Sequence, residues 1–221
     1  MNTILEKIIN IIYPQRCSIC EKLEKKSLCN KCKQKLEEEF CFSFDDYMND
    51  SNKYFIIHYY FFRYKNIIRK QILGLKFNEK PYICQTITYF LKNMQKSFEN
   101  LKKYDIIIVV PISKQRRKER GYNQSELIGK QIAVMINAKI EKNILTKKRN
   151  TVPQSTLNKK QREENVKRVY QVKKIQKIQN KKILLIDDIY TTGSTVNECA
   201  KVLVEGGIKR ENISVLTLIK D

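Results

Sequence analysis

The chain has 221 residues and a formal charge of +21, from 44 Lys and Arg against 23 Asp and Glu. That length supports one substantial core and a small accessory module. No run of eighteen apolar residues occurs, so nothing reads as a transmembrane helix, and the chain reads as cytoplasmic. The charge is uneven: residues 1–52 sum to −1 and residues 183–221 to −2, while residues 53–182 carry +24. A concentrated basic surface attracts polyanions. Lysine supplies 34 of the 44 cations, so a merely solvated lysine-rich face is the competing reading.

Taken in chain order, MNTILEKIINIIYP places Ile4, Leu5, Ile8, Ile9 and Ile12 on one stripe of a short helix that docks on the rest of the protein. Glu6, Lys7 and Asn10 interrupt any signal-peptide core. Cys17, Cys20, Cys29 and Cys32 form two C-x-x-C knuckles eight residues apart. Four thiolates at that spacing suit a closed, tetrahedral and therefore structural Zn²⁺. Cys41 is an outlying candidate ligand, and Cys84 and Cys199 lie on apolar helical patterns as inert core thiols. The acid-rich run 37–52 marks a boundary, giving a zinc module over 1–48 and a main domain over 49–221.

YFIIHYYFF (54–62) reads as a core strand, with His58, the single histidine, in a structural place. DIIIVVPIS (105–113) reads as a second buried strand, followed by the loop KQRRKERGY. A helix starts near Asn123, an N-cap with Glu126 placed for a capping box, and turns Leu127, Ile128, Gln131, Ile132 and Met135 inward. A short strand falls near Ile144–Leu145, and the polar, basic residues 147–180 form a long excursion from the sheet. Strand 183–186 then runs into Asp187 and Asp188. A helix from Ser194 carries Val196, Cys199, Ala200, Leu203 and Val204 inward and stops at Gly206-Gly207. Residues 213–219 close the sheet. Strands alternating with helices imply an α/β fold with a mostly parallel sheet.

The six glycines, at 74, 121, 129, 193, 206 and 207, build neither a P-loop nor a dinucleotide fingerprint. What remains is ILLIDDIYTTGST, an aliphatic strand ending in two acids and a hydroxyl-rich turn into a helix. Open α/β sheets bind ligands at such strand ends. Backbone N–H groups of residues 191–195 and the hydroxyls of Thr191, Thr192, Ser194 and Thr195 suit a phosphate monoester, and Gly193 admits close approach. Asp187 and Asp188 suit two vicinal hydroxyls, and their charge suits Mg²⁺.

At this point the sequence resembles the phosphoribosyl-pyrophosphate signature of type I phosphoribosyltransferases, and more closely the ComF/GntX-type competence proteins. YKNIIRKQILGLKF (64–77), VVPISKQRRKERGYNQSELI (109–128), TVPQSTLNKKQREENV (151–166) and the cysteine knuckles resemble segments of that family in order. Tyr190 departs from many members at its position. The resemblance implies a sheet of the type I phosphoribosyltransferase kind. Asp187 and Asp188 would hold the ribose hydroxyls and the turn Thr191–Thr195 the 5′-phosphate. Arg116, Arg117 and Arg120 would hold pyrophosphate together with Mg²⁺. A closing loop would correspond to 149–166, with Arg149 and Arg162.

The resemblance further implies phosphoribosyl pyrophosphate or a ribose 5-phosphate-type ligand, single-stranded DNA and proteins of the competence machinery as partners. The leading expectation is a phosphoribosyl-pyrophosphate-binding protein associated with DNA uptake. Two alternatives remain: a salvage phosphoribosyltransferase acting on an unidentified base or amine, and a single-strand binder whose sugar-phosphate site is vestigial.

Overall fold

The structure is a computed structural model that describes residues 16–17, 19–24, 28–63, 91, 95–148 and 158–221. The expected N-terminal helix, the segment 64–77, Cys84, Arg149 and Pro153 lie outside the described residues. The chain divides into two compact units, Met1–Phe40 with Lys65–Asn93 and Cys41–Tyr64 with Met94–Asp221.

In the first unit, Cys17 N–H donates to the Lys22 carbonyl and Glu21 N–H to the Cys17 carbonyl, both at 2.8 Å, closing a tight knuckle. Helix α1, Asn30–Glu39, begins immediately after Cys29. Its sequence NKCKQKLEEE buries only Cys32 and Leu36. A ten-residue helix with so narrow an apolar stripe is marginal by itself, and Cys29 and Cys32 lie at its start.

The second unit is built on a six-stranded sheet in the order β1-β2-β8-β7-β3-β4. The strands are β1 Phe40–Asp46, β2 Ile57–Arg63, β3 Ile106–Val109, β4 Lys139–Ile140, β7 Ile183–Tyr190 and β8 Ile213–Lys220. The β2/β8, β8/β7, β7/β3 and β3/β4 pairs are all parallel, in keeping with the expected α/β fold. Parallel strands need both faces covered. Ile106, Ile108, Ile183, Leu185, Ile213 and Val215 join one core with Val196, Cys199 and Leu203 of helix α5, Ser194–Glu205. On the other face helix α3, Gln124–Ile136, packs so closely that a Cβ on Gly129 would lie 2.9 Å from a Val109 methyl. Ile183, Leu184, Leu185 and Ile186 are fully buried, each worth roughly 1.5–3 kcal/mol of burial.

Several boundaries differ from the sequence reading. Residues 37–46, read as a polar boundary, are the end of α1 followed by strand β1. Phe40, Phe42 and Phe44 alternate there, and Phe42 meets Phe98 at 5.1 Å and Phe61 at 5.5 Å between ring centres. The run KQRRKER, read as loop, is helix α2, Lys114–Arg120. Ser113 caps its start, and Gly121 ends it in the left-handed conformation with φ of 73°. Asn123 does cap α3, but Glu126 completes no capping box and instead pairs with Arg117 at 3.0 Å and Lys130 at 3.4 Å. The excursion 147–180 holds helix α4, Lys159–Val166, and strand β6, Tyr170–Val172, which pairs antiparallel with β5, Leu145–Lys147.

Two polar clusters lock the unit. The Arg210 guanidinium donates to the carbonyls of Tyr47, Met48, Asp50 and Lys53, and so fixes the turn between β1 and β2. His58, fully buried, lies 2.9 Å from Thr217 Oγ1 through Nε2. Thr217 gives its own proton to the Ile219 carbonyl, so Nε2 of His58 carries a proton and donates to it.

Asp45 sits 3.4 Å from His58 Nδ1 and accepts from Lys220 at 2.7 Å. His58 beside it and Lys220, against the cost of burial, hold its carboxyl down at about 2. Because the folded value lies below the unfolded one, about 4, its contribution is complete above that value and lost as the pH falls toward 2. Urea midpoints measured across this window should fall more steeply in wild type than in Asp45→Asn.

Candidate phosphate site and metal centre

Strand β7 continues past its aliphatic run because β8 continues beside it, through Asp187↔Thr217, Ile189↔Ile219 and Tyr190↔Lys220. Asp187 and Asp188 therefore stand on a paired strand and not in a loop. Ser125, at the start of α3, donates to Asp187 Oδ1 at 2.9 Å, and the Asp188 N–H reaches the same oxygen at 3.0 Å. That leaves Oδ2 as the carboxylate atom these two donors do not occupy.

The turn Thr191–Gly193 leads into α5, with Gly193 at φ of 73°. Thr192 and Ser194 hydroxyls bond each other at 2.9 Å, and the Ser194 N–H points to Thr192 Oγ1 at 3.3 Å. The N–H groups of Thr191, Thr192 and Gly193 have no acceptor among the described residues. A recess lined by Asp187 and by residues 189–196 collects these groups. Free amides, hydroxyls and a helix N-terminus around one hollow are the elements of an anion cradle. Asp188 is not part of the recess lining and lies within electrostatic reach of Arg116.

The three arginines divide. Arg116 and Arg120 share one face of α2, four residues apart and each partly buried. Arg117 is exposed and taken by Glu126. Burial and the Arg120 charge push Arg116 below its ordinary range, while Tyr170, Glu119 and Asp188 pull the other way. Lys147, at the end of β5, is a further member that sequence reasoning missed. Burial, and then Arg116, push its ammonium down to about 8, and Cys199 and Asp187 oppose this. Its Nζ stands 5.7 Å from the centre of the Tyr170 ring. Among 34 lysines nothing in the sequence marks this one; only the pairing of β5 with β6 brings it inward. Ser125 was equally unmarked, because its role depends on α3 abutting the end of β7. Arg162 falls on α4.

In the first unit the four sulfurs of Cys17, Cys20, Cys29 and Cys32 lie within 4.8 Å of one another, and Cys20 Sγ is 3.8 Å from Cys29 Sγ. A tetrahedral Zn–S distance of about 2.3 Å sets S···S edges of about 3.8 Å, so the set fits one Zn²⁺. The Cys29 N–H faces Cys17 Sγ at 3.5 Å, the kind of contact that favours a thiolate. Burial resists ionisation of Cys17, but N–H donors from Cys29, Cys20 and Ile19 prevail and bring it down to about 7. Burial and the neighbouring sulfurs push Cys32 up. Zn²⁺ would hold all four as thiolates and pin the knuckle to the first turn of α1.

Fold and sites together define an α/β protein with a mostly parallel sheet, a turn with open amides at the end of a central strand and a four-cysteine cluster that fits structural zinc. Residues 8–48 match the double zinc ribbon domain. That segment holds five cysteines and no histidine, enough soft ligands for one tetrahedral ion and not for two. The chain is 28% identical to competence protein F of Haemophilus influenzae, across 87% of its own length and 86% of that protein. It is 29% identical to competence protein ComFC of Streptococcus pneumoniae, across 95% of this chain and 82% of that one. The DNA utilization protein YhgH of Escherichia coli is 31% identical over 47% of this chain and 44% of its own. The chain is a homologue of these competence and DNA-utilization proteins.

Two outcomes follow. Elemental analysis of the purified chain should give one Zn²⁺ per chain, and chelation or Cys32→Ser should make the residues up to Phe40 sensitive to protease. A Cβ at Gly193 would lie 2.3 Å from the Tyr190 hydroxyl in a backbone region that L side chains avoid. Gly193→Ala should therefore cost about 1–3 kcal/mol, read as a lowered melting temperature.

Proposed function

We propose that the chain binds phosphoribosyl pyrophosphate, or a closely related pentose 5-phosphate, and acts in the uptake or use of DNA. The observation that carries the sugar-phosphate reading is the recess itself, where open amides and hydroxyls of the turn Thr191–Thr195 meet Asp187; Arg116, partly buried, lies within electrostatic reach of Arg120, Lys147 and Asp188. Like charges drawn together out of water are costly, and an anion between them removes that cost. In this reading the amides and hydroxyls of Thr191–Thr195 take the 5′-phosphate. Asp187 and Asp188 accept from the ribose hydroxyls, and Arg116, Arg120 and Lys147 face the pyrophosphate. Mg²⁺, arriving with pyrophosphate, would sit near the acid pair and neutralise phosphate charge. The role in DNA uptake or use rests on what the names of the similar proteins say of those proteins. The +24 carried by residues 53–182 agrees with a polyanionic partner.

Calorimetry with phosphoribosyl pyrophosphate and Mg²⁺ is the direct test. Asp187→Ala/Asp188→Ala removes two charge-assisted acceptors and should weaken binding by at least about 100-fold. An absence of heat in the wild type would end the reading. Pyrophosphate release on adding bases or amines would convert the binder into a salvage-type transferase.

The pH profile is a second test. Below about 8 Lys147 is already charged in the free protein, and binding takes up no proton there. Above that value the anion must re-protonate it, so affinity should fall as the pH rises toward 10, and Lys147→Met should flatten the fall.

A further inference from the structure

Beyond the phosphate turn lies a larger cavity, about 640 Å³, that shares Thr192, Gly193 and Ser194 with the recess but includes neither aspartate. The two hollows meet at the turn Thr192–Ser194, against which a 5′-phosphate would lie. Its walls come from three separate elements: the turn before β2, the stretch after α4 and the first turns of α5. Lys53, Lys167, Arg168 and Lys201 line it, against the single acid Glu198. Lys167 pairs with Glu164, and Lys201 lies 3.8 Å from Glu205, both in exposed contacts that neutralise little. Glu198 is already used, accepting the Arg168 N–H at 2.6 Å. The walls are held firmly: Asn197 bonds the Asn52 carbonyl and the Tyr54 N–H, both at 2.9 Å, and Arg210 fastens the same turn. Tyr54, half-buried, presents a ring to the cavity, with Lys201 Nζ at 6.0 Å from its centre.

A free 5′-phosphate monoester has no use for such a space, because nothing is attached beyond its phosphorus. A phosphodiester needs it. The 3′-terminal nucleotide of a single strand is a pentose with a free hydroxyl and a 5′-phosphate that continues into the next nucleotide. The volume fits a nucleotide-sized ligand, the cations suit the next phosphate, and the Tyr54 ring suits stacking of the next base. We propose that this cavity receives the penultimate nucleotide of a single-stranded nucleic acid whose 3′-terminal phosphate lies against the shared turn Thr192–Ser194 and whose terminal sugar reaches toward Asp187. The inference rests on the pentose 5-phosphate reading of that recess and names the larger molecule the site takes.

Three fluorescein-labelled strands of one sequence, ending in a 3′-hydroxyl, a 3′-phosphate or a 3′-terminal ribonucleotide, are titrated with the full chain by anisotropy in Mg²⁺. The blocked 3′-phosphate end should bind at least about fivefold more weakly than the free end. The ribonucleotide end, which restores the vicinal hydroxyl pair, should bind tightest. Ribose 5-phosphate should compete away the difference. Arg168→Gln/Lys201→Gln should abolish the end preference while leaving ribose 5-phosphate affinity within about twofold, which also reports that the variant is folded. Equal affinity for blocked and free ends overturns the inference and leaves sugar-phosphate binding standing. Failure of both ribose 5-phosphate and phosphoribosyl pyrophosphate to bind overturns both. Tighter binding of ADP-ribose than of every strand, unchanged in the double variant, overturns the assignment of the cavity to a strand.

Discussion

The parallel pairing of β7 with β8, carried on from the aliphatic run to Tyr190↔Lys220, is the constraint on which the candidate site depends. Were the pairing to stop at Ile186, Asp187 and Asp188 would ride on a loop and the turn at Gly193 would have no fixed origin. Pairing is sustained because β8 is buried along nearly its whole length, from Ile213 to Ile219. The buried strand thus positions two acids on its neighbour. Ser125 and the Asp188 N–H then tie down one oxygen of Asp187, so the carboxylate is oriented before any ligand arrives, which lowers the ordering cost of binding.

The charge arrangement has the opposite character, since it is strained where the strand is relaxed. Arg116 and Arg120 would repel less on an exposed helix face, and Lys147 would be more easily charged in water. The fold brings them within electrostatic reach of Asp187, Asp188 and Glu119. Burial also strengthens whatever Coulombic attraction an incoming anion feels. The zinc module, with no net charge over residues 1–48 before its thiolates are counted, contributes nothing to that attraction. Its four sulfurs do the structural work that NKCKQKLEEE, with two buried side chains, cannot do by packing.

The α/β class, the late strand, the turn Thr191–Thr195 and the four cysteines were legible because each is local. Hydrophobic runs, turn residues and ligand spacing all act within about a dozen positions. What escaped depends on tertiary placement. The alternation of Phe40, Phe42 and Phe44 was outweighed by the surrounding acids until Phe61 and Phe98 supplied a surface for it. KQRRKER has no apolar face, so nothing in it announces helix α2; the Ser113 cap and the Gly121 stop make it one. Lys147 and Ser125 are ordinary residues in composition, and only the β5/β6 pairing and the approach of α3 to β7 make them part of a site. Glu126 shows the converse. Its spacing fits a capping box, yet Arg117 and Lys130 offer it stronger partners.

Tyr190 joins the core to the turn. Its ring stacks on His58 at 4.0 Å between centres, and its hydroxyl receives the Lys53 ammonium at 3.3 Å. The same ring fills the space beneath Gly193, where even one added carbon would collide with it. The N–H groups of Thr191, Thr192 and Gly193 above this ring have no acceptors among the described residues. Tyr190 thus supports the turn from below. It also draws Lys53 to the rim of the neighbouring cavity, so one bulky residue shapes both hollows at once.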